Sequence, residues 1–424
     1  MRLRLLFAAA VVAATWAAAE TVAWAGFWYL DGTPFGPARL AAEQRAVAAE
    51  RPSVVRPGLE RKLDPAAAQM LSRQVVHPYL GFVYDPETSH ASEWGFLDEA
   101  PPFHHRAPDQ LIVAVTGGSL ALQLVDHRGA QLAERLAALP RFAGRAVVLV
   151  NLAVEGFKEP QQLATLSYLL ALGAEFDLLL NLDGFNEIAL HGAENERKGV
   201  FPAFPRSWYL RSQSLPDPET HALIGEIYFL EQERMRGAAW MLETPFHVSP
   251  LADLVWRMCD RRLVARIADV QAQARERSES AHDYQSTGPS GVGWESGDTM
   301  ADLARIWAES SVQLHRLARA NDIAYYHFLQ PNQYLPDSKP MGDEERRVAI
   351  QPDHPYAGAA RSGYPKLQAL VPRLRGAGVR FEDLTGLFAA VPEPIYKDVC
   401  CHVNDRGNEI LVDAMVAYVA TNPE

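Results

Sequence analysis

Short apolar runs recur along the chain, separated by segments with helical periodicity. Four of these runs are almost uniformly apolar, and a fifth follows near the carboxyl end: Leu111–Val115, Ala146–Leu152, Phe176–Leu182, Ile323–Leu329 and Val379–Leu384. Such uniform runs are typical of central strands covered on both faces. The segments between and after them predict helices at Ala130–Leu139, Pro160–Leu172, Pro365–Arg375 and Asp405–Ala420. This alternation predicts an α/β fold with a central, doubly wound parallel sheet.

The third and fourth runs are separated by roughly 140 residues, far more than an ordinary crossover needs. We therefore expect a large, mostly helical insertion at about 190–321, with helices at Pro218–Trp240, Ser249–Arg277 and Met300–Ala320. Within it, the Gly- and Ser-rich stretch Gln285–Asp298 predicts a mobile loop that could act as a lid. A second insertion, at about 331–364, is rich in proline and predicts loops.

The amino terminus has the pattern of an export signal. Arg2 and Arg4 precede an uncharged apolar segment, Leu5–Ala19. The small residues Ala17–Ala19 fit a cleavage site, whereas a second apolar stretch, Thr21–Leu30, would prolong an uncleaved anchor. Both outcomes remain open, with 1–30 as signal peptide or anchor and 31–76 as a stalk. Either places the rest of the chain outside the cytoplasm, in the periplasm or anchored in the inner membrane.

Composition and charge restrict the kinds of partner and cofactor that we expect. A formal net charge of -12 and an isoelectric point near 5.6 argue against a nucleic-acid surface. Three cysteines are too few for a disulfide framework, although one bond from Cys259 to Cys400 or Cys401 stays open. The adjacent His104 and His105 are best explained as a solvated pair, because no further ligand pattern follows them. We predict neither a metal nor an organic cofactor.

Polar residues suited to catalysis fall just beyond the predicted strands. Ser119 follows the first strand in Thr116-Gly-Gly-Ser, Gly156 follows the second, and Asn186 follows the third. Because the carboxyl ends of parallel strands share one edge, we expect these residues to lie close together. Asp398 and His402 precede the last predicted helix and would join them there.

A serine hydroxyl needs a base to remove its proton, and the base needs a partner that fixes its tautomer. We predict Ser119 as nucleophile, His402 as base and Asp398 as its partner. The backbone N–H groups of Ser119 and Gly156 and the side-chain amide of Asn186 would form the oxyanion hole.

Other interpretations compete with these roles. Asp126 and His127 also follow Ser119, but we expect them at or before the next helix, pointing along it. Cys400 and Cys401 could suggest a thiol nucleophile, although small packing residues fit their position better. Taken singly, Gly-Gly-Ser and Gly-Phe-Asn are ordinary turns. The Asp398 and His402 pair could be a capping aspartate and a buried histidine. Asp183 and Glu187 could cap turns or tune the site.

These residues give the chain a resemblance to the SGNH hydrolases, also called GDSL esterases and lipases. Thr116-Gly-Gly-Ser119 resembles the first block, Asn151–Gly156 the second, Asp183-Gly-Phe-Asn186 the third, and Asp398 with His402 the fifth. Gly118 replaces the usual aspartate, and one extra residue separates Asp398 from His402. The resemblance covers about 111–190 and 322–420 and implies a flavodoxin-like three-layer α/β/α sandwich at 77–424, interrupted by the two insertions.

The resemblance implies an exported or membrane-anchored serine esterase that hydrolyses carboxylic esters, with an acylated small molecule or an acetylated glycan as substrate. One alternative is a periplasmic polysaccharide O-acetyltransferase that passes the acyl group to a sugar. Another is a noncatalytic surface-binding protein of the same fold. A distance beyond hydrogen-bond reach between Ser119 and His402 would favour the noncatalytic alternative.

Overall fold

The computed structural model describes residues 2–50, 73–98, 101–212, 218–280, 284–289 and 297–423. The chain divides into two compact units. The smaller unit combines Met1–Leu63 with Ser214–Ala281, and the larger unit combines Asp64–Gln213 with His282–Glu424. About half of the predicted stalk, 51–72, and residues 290–296 of the predicted lid lie outside the described residues.

The larger unit contains a five-stranded parallel sheet, which confirms the predicted α/β class and all five predicted strands. In chain order the strands are β3 (Gln110–Gly117), β4 (Ala146–Asn151), β5 (Leu178–Asp183), β6 (Ala324–Leu329) and β7 (Arg380–Asp383). Their order across the sheet is β4-β3-β5-β6-β7, and every neighbouring pair is parallel. The run Ala146–Leu152 was predicted as a central strand covered on both faces, but β4 lies at the edge of the sheet and its first residues are partly exposed. A separate antiparallel hairpin, β1 (Gln74–His77) and β2 (Gly81–Tyr84), precedes the sheet.

Helices pack on this sheet in two groups, an arrangement compatible with three layers. The helices Ser119–Ala137 and Asp405–Thr421 contact each other, and the helix Thr299–Ala320 contacts Gln161–Ala171 and Pro355–Ala369. The remaining α-helices of this unit are shorter: Phe185–Leu190, Trp208–Ser212, Tyr284–Thr287, Asp343–Ala349 and Val371–Gly376. Leu111–Val115 of β3 and Leu178–Leu182 of β5 are buried, so the core lies at the centre of the sheet.

One helix prediction is wrong in its start, and one loop prediction is wrong in type. The helix predicted at Ala130 begins at Ser119, because Leu120, Leu122 and Leu124 turn their apolar side chains into the core. Asp126 and His127 therefore lie within this helix. The stretch 331–364, predicted as loops, contains the helix Asp343–Ala349 and most of the helix Pro355–Ala369.

The second of these helices was hidden by composition. Its buried face is made largely of alanine and glycine, which give a weak apolar signal. Pro365 lies inside it instead of starting a new helix, and the predicted continuation to Arg375 breaks at Leu370 before a short helix, Val371–Gly376.

The smaller unit is helical. It contains the helices Arg2–Asp31, Pro37–Ala49, Pro218–Glu243 and Pro250–Ser280, and a 3₁₀ turn at Pro245–Val248 joins the last two. The amino-terminal helix packs against Pro250–Ser280, and Pro37–Ala49 packs against Pro218–Glu243. Within the described chain, the segment Leu6–Tyr29 is the one helix long and apolar enough to cross a membrane. Ala23 and Phe27 are buried within its carboxyl-terminal half.

Candidate active site

Ser119 lies at the junction of β3 and the helix Ser119–Ala137. The strand ends at Gly117, Gly118 occupies the N-cap position, and Ser119 is the first helical residue. A first helical residue has no partner for its N–H inside the helix, and the helix dipole places partial positive charge at this end. The hydroxyl and the free backbone donor of Ser119 therefore share a site suited to developing negative charge.

The predicted serine, histidine and aspartate meet in the structure. His402 Nε2 lies 2.7 Å from Ser119 Oγ, and His402 Nδ1 lies 2.5 Å from Asp398 Oδ2. The side chain of His402 is 18% exposed and that of Asp398 is 38% exposed, so both are accessible to solvent while remaining in contact with each other. This chain of contacts has the connectivity of a Ser-His-Asp triad.

The electrostatic surroundings of this triad shift the pKa of both His402 and Asp398. Burial disfavours the imidazolium, but the hydrogen bond and negative charge of Asp398 outweigh burial, so the pKa of His402 is raised. Burial likewise opposes ionisation of Asp398, but its hydrogen bond to His402 and the backbone N–H groups beside it hold its pKa below the usual value. The pair is therefore suited to stabilising a proton on His402.

The segment between Asp398 and His402 forms a tight loop around the aspartate. Asp398 Oδ1 accepts hydrogen bonds from the backbone N–H groups of Cys400, Cys401 and His402 at 2.9, 3.3 and 3.3 Å. Its other oxygen is left for His402 Nδ1. The extra residue relative to the resembled family is thus accommodated in a loop that closes on Asp398.

Three side chains that sequence reasoning missed hold this loop from outside. Asn332, Gln333 and Tyr334 donate hydrogen bonds to the backbone carbonyls of Cys400, Asp398 and Val399 at 3.3, 3.0 and 2.9 Å. We call these three residues the loop support. They follow the carboxyl end of β6, so the rule that singled out Ser119, Gly156 and Asn186 would also have found them.

The second predicted block lies beside the serine turn. Val154 N donates to Gly117 O at 3.2 Å, and Phe157 N donates to Val154 O at 3.0 Å, so the turn that contains Gly156 is tied to the end of β3. Gly156 has φ +82°, and a Cβ there would lie 2.0 Å from Arg206 Cδ. Only glycine fits both the backbone and the space.

Arg206 is a fourth residue that the sequence did not reveal. Its guanidinium forms an ion pair with Glu194, and both side chains are largely buried. Ser207 Oγ donates to the same carboxylate at 2.6 Å. Arg206 therefore places a fixed positive charge against Gly156, next to the predicted oxyanion donors.

Asn186 faces the serine turn from the third block. Its Nδ2 donates to Phe157 O at 2.8 Å. A Cβ on Gly118 would lie 2.2 Å from that same nitrogen. The amide of Asn186 thus occupies the space that a side chain at position 118 would need, which explains glycine in place of the family's aspartate.

Behind Asn186 lies a buried cluster of carboxyl groups, formed by Glu159, Asp183 and Glu187. Glu187 accepts from Gly184 N at 2.9 Å and from Glu159 N at 3.0 Å, so it fixes the turn that aims Asn186. Burial, followed by the charge of Asp183, raises the pKa of Glu187 to about 8. Glu187 thus has a positioning role, in line with the turn-capping interpretation.

Asp183 belongs to a second serine, histidine and aspartate chain. Ser311 Oγ lies 2.7 Å from His327 Nδ1, and His327 Nε2 lies 2.8 Å from Asp183 Oδ1, which also accepts from Trp307 Nε1 at 2.6 Å. Ser311, His327 and Asp183 are at most 1% exposed. No substrate can reach these groups, so we interpret this hydrogen-bonded series of side chains as structural.

The cysteines beside His402 fit neither a nucleophile nor a metal centre. Cys400, Cys401 and His402 place potential ligand atoms within 4.8 Å of one another. Both ring nitrogens of His402, however, already contact Asp398 and Ser119. The hydrogen bond between the Cys400 and Cys401 thiols, together with burial, raises the pKa of the Cys400 thiol well above its usual value, which disfavours the thiolate. All three cysteines of the chain are free thiols.

The remaining candidates lie away from this group. His127 is exposed on the helix Ser119–Ala137, two turns beyond the serine, while His402 holds the contact with Ser119 Oγ. His105 is 86% exposed and lies 3.8 Å from Glu175.

Comparison with known proteins adds no identification. No protein-family model matches the chain, and no curated protein matches it.

Proposed function

We propose that this protein is a serine esterase that hydrolyses carboxylic esters through an acyl-enzyme. The observation that carries the proposal is the hydrogen-bonded series Ser119, His402 and Asp398, at 2.7 and 2.5 Å, at the carboxyl edge of the sheet. The contact between Ser119 and His402 argues against the noncatalytic alternative, which a long separation would have favoured.

We also infer that the larger unit has the flavodoxin-like form expected of SGNH hydrolases. Numbered within the parallel sheet, the strand order is 2-1-3-4-5, which is the flavodoxin-like order. In such sheets ligands bind outside the carboxyl ends of the strands, where Ser119, Gly156 and Asn186 lie.

In the acylation step, Ser119 Oγ attacks the carbonyl carbon of the ester while His402 Nε2 takes the hydroxyl proton. Asp398 stabilises the imidazolium and keeps Nδ1 protonated. The carbonyl oxygen becomes negative and accepts hydrogen bonds from the N–H groups of Ser119 and Gly156 and from Asn186 Nδ2. The tetrahedral species collapses, the alcohol leaves with the proton from His402, and the acyl group remains on Ser119.

In the deacylation step, water replaces the alcohol. His402 removes a proton from the water as it attacks the acyl carbon, the same donors hold the oxyanion, and Ser119 departs as its proton is restored. The substrate class is an acylated small molecule or an acetylated glycan. A sugar hydroxyl in place of water would give the O-acetyltransferase reaction with the same residues.

We further propose that the protein is exported and remains anchored through Leu6–Tyr29. The helix Arg2–Asp31 is continuous through the small residues Ala17–Ala19, and its later part is packed against Pro250–Ser280. Mass spectrometry of the mature protein tests this, since cleavage after Ala19 would remove the first 19 residues.

The activity is tested with a fluorophosphonate probe and a simple acetyl ester. We expect the probe to label the wild-type chain, and Ser119→Ala to abolish labelling and to reduce esterase activity by at least about 10³-fold. Ser167→Ala, which removes an exposed serine from the helix Gln161–Ala171, serves as matched control and should behave as wild type. Labelling and turnover that survive in Ser119→Ala would contradict the proposal.

A further inference from the structure

The smaller unit carries an exposed apolar surface at one end of its helical hairpin. The hairpin consists of Pro218–Glu243 and Pro250–Ser280 joined through Pro245–Val248, and we call the segment 240–258 the hairpin tip. Large side chains of the tip are 42% to 57% exposed: Trp240, Phe246, Val248, Val255 and Met258. The rings of Trp240 and Phe246 stack with centroids 5.4 Å apart. Soluble surfaces rarely keep such a patch uncovered.

Contacts with the amino-terminal helix fix where the hairpin tip lies along that helix. Glu20 accepts hydrogen bonds from Ser249 Oγ at 2.5 Å and from Leu251 N at 3.0 Å. Further along, a Cβ on Gly26 would lie 3.4 Å from Leu254 Cδ2. The two helices therefore run in the same direction, and Pro245–Val248 lies at the level of Glu20 or beyond it toward the amino terminus.

The length of the exposed part of the amino-terminal helix then determines how deeply the hairpin tip lies in the membrane. Residues 6–18 are exposed throughout, and packing begins at Ala19. The segment Leu6–Ala19 supplies about 21 Å of helix at 1.5 Å per residue, whereas the hydrocarbon core of a bilayer is about 30 Å thick. About 9 Å of the core must be crossed by residues from Glu20 onward, which are the residues beside the hairpin tip.

Aromatic side chains place the outer boundary at the same height. Trp24, Trp28 and Tyr29 are 47%, 53% and 91% exposed, and tryptophan and tyrosine concentrate where the membrane meets water. Glu20 lies one to two turns deeper. A carboxylate at that depth needs partners, and Ser249 and the N-terminus of the helix Pro250–Ser280 supply them.

We propose that the hairpin tip enters the outer leaflet of the membrane beside the amino-terminal helix. The occupant of the exposed apolar surface is lipid, with Phe246 and Val248 deepest and Glu20 shielded between the two helices. The smaller unit thus contacts the bilayer through the hairpin tip as well as through the amino-terminal helix. This inference rests on the proposed anchor Leu6–Tyr29 and is independent of the esterase activity.

The test uses the full chain in vesicles of phosphatidylethanolamine and phosphatidylglycerol. In a Cys259→Ser background, Val248→Cys and Val264→Cys each receive a fluorescent label, and the background protein alone reports any labelling of Cys400 and Cys401. Val264 is 44% exposed and lies on the helix Pro250–Ser280, about 21 Å beyond its first residue, so it is the matched control. Nitroxide lipids quench labels in the bilayer, and iodide quenches labels in water.

We expect lipid quenching at position 248 to exceed that at position 264 at least about threefold, with the reverse ranking for iodide. Equal iodide quenching at both positions would overturn the proposal. So would protection of position 248 from both quenchers together with crosslinking between molecules, which would assign the surface to a second copy of the chain. Loss of the first 19 residues from the vesicle-bound protein would overturn it as well.

Discussion

At the scale of single residues, the space around Gly118 separates this chain from the family that it resembles. The amide of Asn186 lies where a Cβ on residue 118 would project, 2.2 Å away. Asn186 is held there by its bond to Phe157 O. A longer side chain at 118 would displace a predicted oxyanion donor, so glycine and Asn186 form one matched pair.

This pairing predicts that restoring the family's aspartate is harmful. We expect Gly118→Asp to lower kcat for ester hydrolysis by about 10²-fold to 10³-fold, the usual loss on removing one oxyanion donor. Because the damage acts through Asn186, Gly118→Asp should cost much less in an Asn186→Ala background. Steady-state kinetics of the two single variants and the double variant measure this. Full activity in Gly118→Asp would contradict the assigned role of Asn186.

The raised pKa of His402 predicts the pH profile. A base must be neutral to accept a proton, so kcat/KM should fall as the pH drops through a midpoint above the ordinary histidine value of about 6.5. Asp398→Asn removes the negative charge but leaves burial, which lowers a histidine pKa. We therefore expect the midpoint to move to lower pH and kcat to fall by about 10³-fold to 10⁴-fold.

Asp405→Asn is the matched control for that profile. Asp405 starts the last helix, close in sequence to His402, but its side chain is 69% exposed and pairs with Arg128. We expect its pH midpoint to equal that of the wild type. A midpoint unchanged by Asp398→Asn would show that another group controls the protonation of His402.

At the scale of elements, the site depends on how the loop 398–402 is held against the sheet. Backbone N–H groups of the loop donate hydrogen bonds to Asp398, and the loop support at the end of β6 adds three hydrogen bonds to the loop's carbonyls. These bonds connect the histidine and aspartate, which come late in the chain, to a strand that the core fixes. Small displacements of such a group are costly in catalysis.

Tyr334→Phe tests this connection with minimal change in shape. It removes the hydrogen bond to Val399 O, and we expect kcat to fall about tenfold while the pH midpoint of His402 and the thermal midpoint stay close to wild type. Tyr168→Phe, on the helix Gln161–Ala171, is the matched control and should keep full activity. If kcat were unchanged in Tyr334→Phe, the loop would not need this support.

At the scale of the whole molecule, the larger unit buries acidic groups at its centre. Glu159, Asp183 and Glu187 are at most 2% exposed. The pKa of Glu187 is raised to about 8 by burial and by Asp183, whereas in the unfolded chain it should be near 4.5. Between these values the folded protein holds a proton that the unfolded chain releases, so folding stability falls as pH rises from about 4.5 to 8.

Glu187→Gln should weaken that pH dependence because glutamine does not titrate. We expect the fall in the free energy of unfolding per pH unit to shrink by up to about 1.4 kcal/mol between pH 5.5 and 8. Urea unfolding, followed by tryptophan fluorescence at several pH values, measures it. Glu409→Gln, a change at a partly exposed position on the last helix that pairs with Arg406, is the control and should leave the slope unaltered. Equal slopes in Glu187→Gln and wild type would contradict the raised pKa.

Sequence patterns were sufficient for the sheet and for the residues at its edge. The uniform apolar runs at 111–115 and 176–182 form strands buried on both faces, whereas the run at 146–152 forms the edge strand β4, which is partly exposed at its start. Parallel strands bring their carboxyl ends to one edge. The positions of Ser119, Gly156 and Asn186 follow from those two rules. The long amino-terminal apolar helix follows from composition, since fifteen uncharged residues after Arg4 leave few alternatives.

Tertiary structure alone decided what depends on contacts between segments distant along the chain. The sequence places Asn332, Gln333 and Tyr334 just beyond the end of β6, but it does not show that they hold loop 398–402. Nor does it show that Asn186 takes the space beside Gly118, because each of these contacts joins separate elements. The same holds for Glu20, whose partners Ser249 and Leu251 lie far along the chain. Periodicity records which face of an element is buried, whereas the identity of the covering element is set by packing.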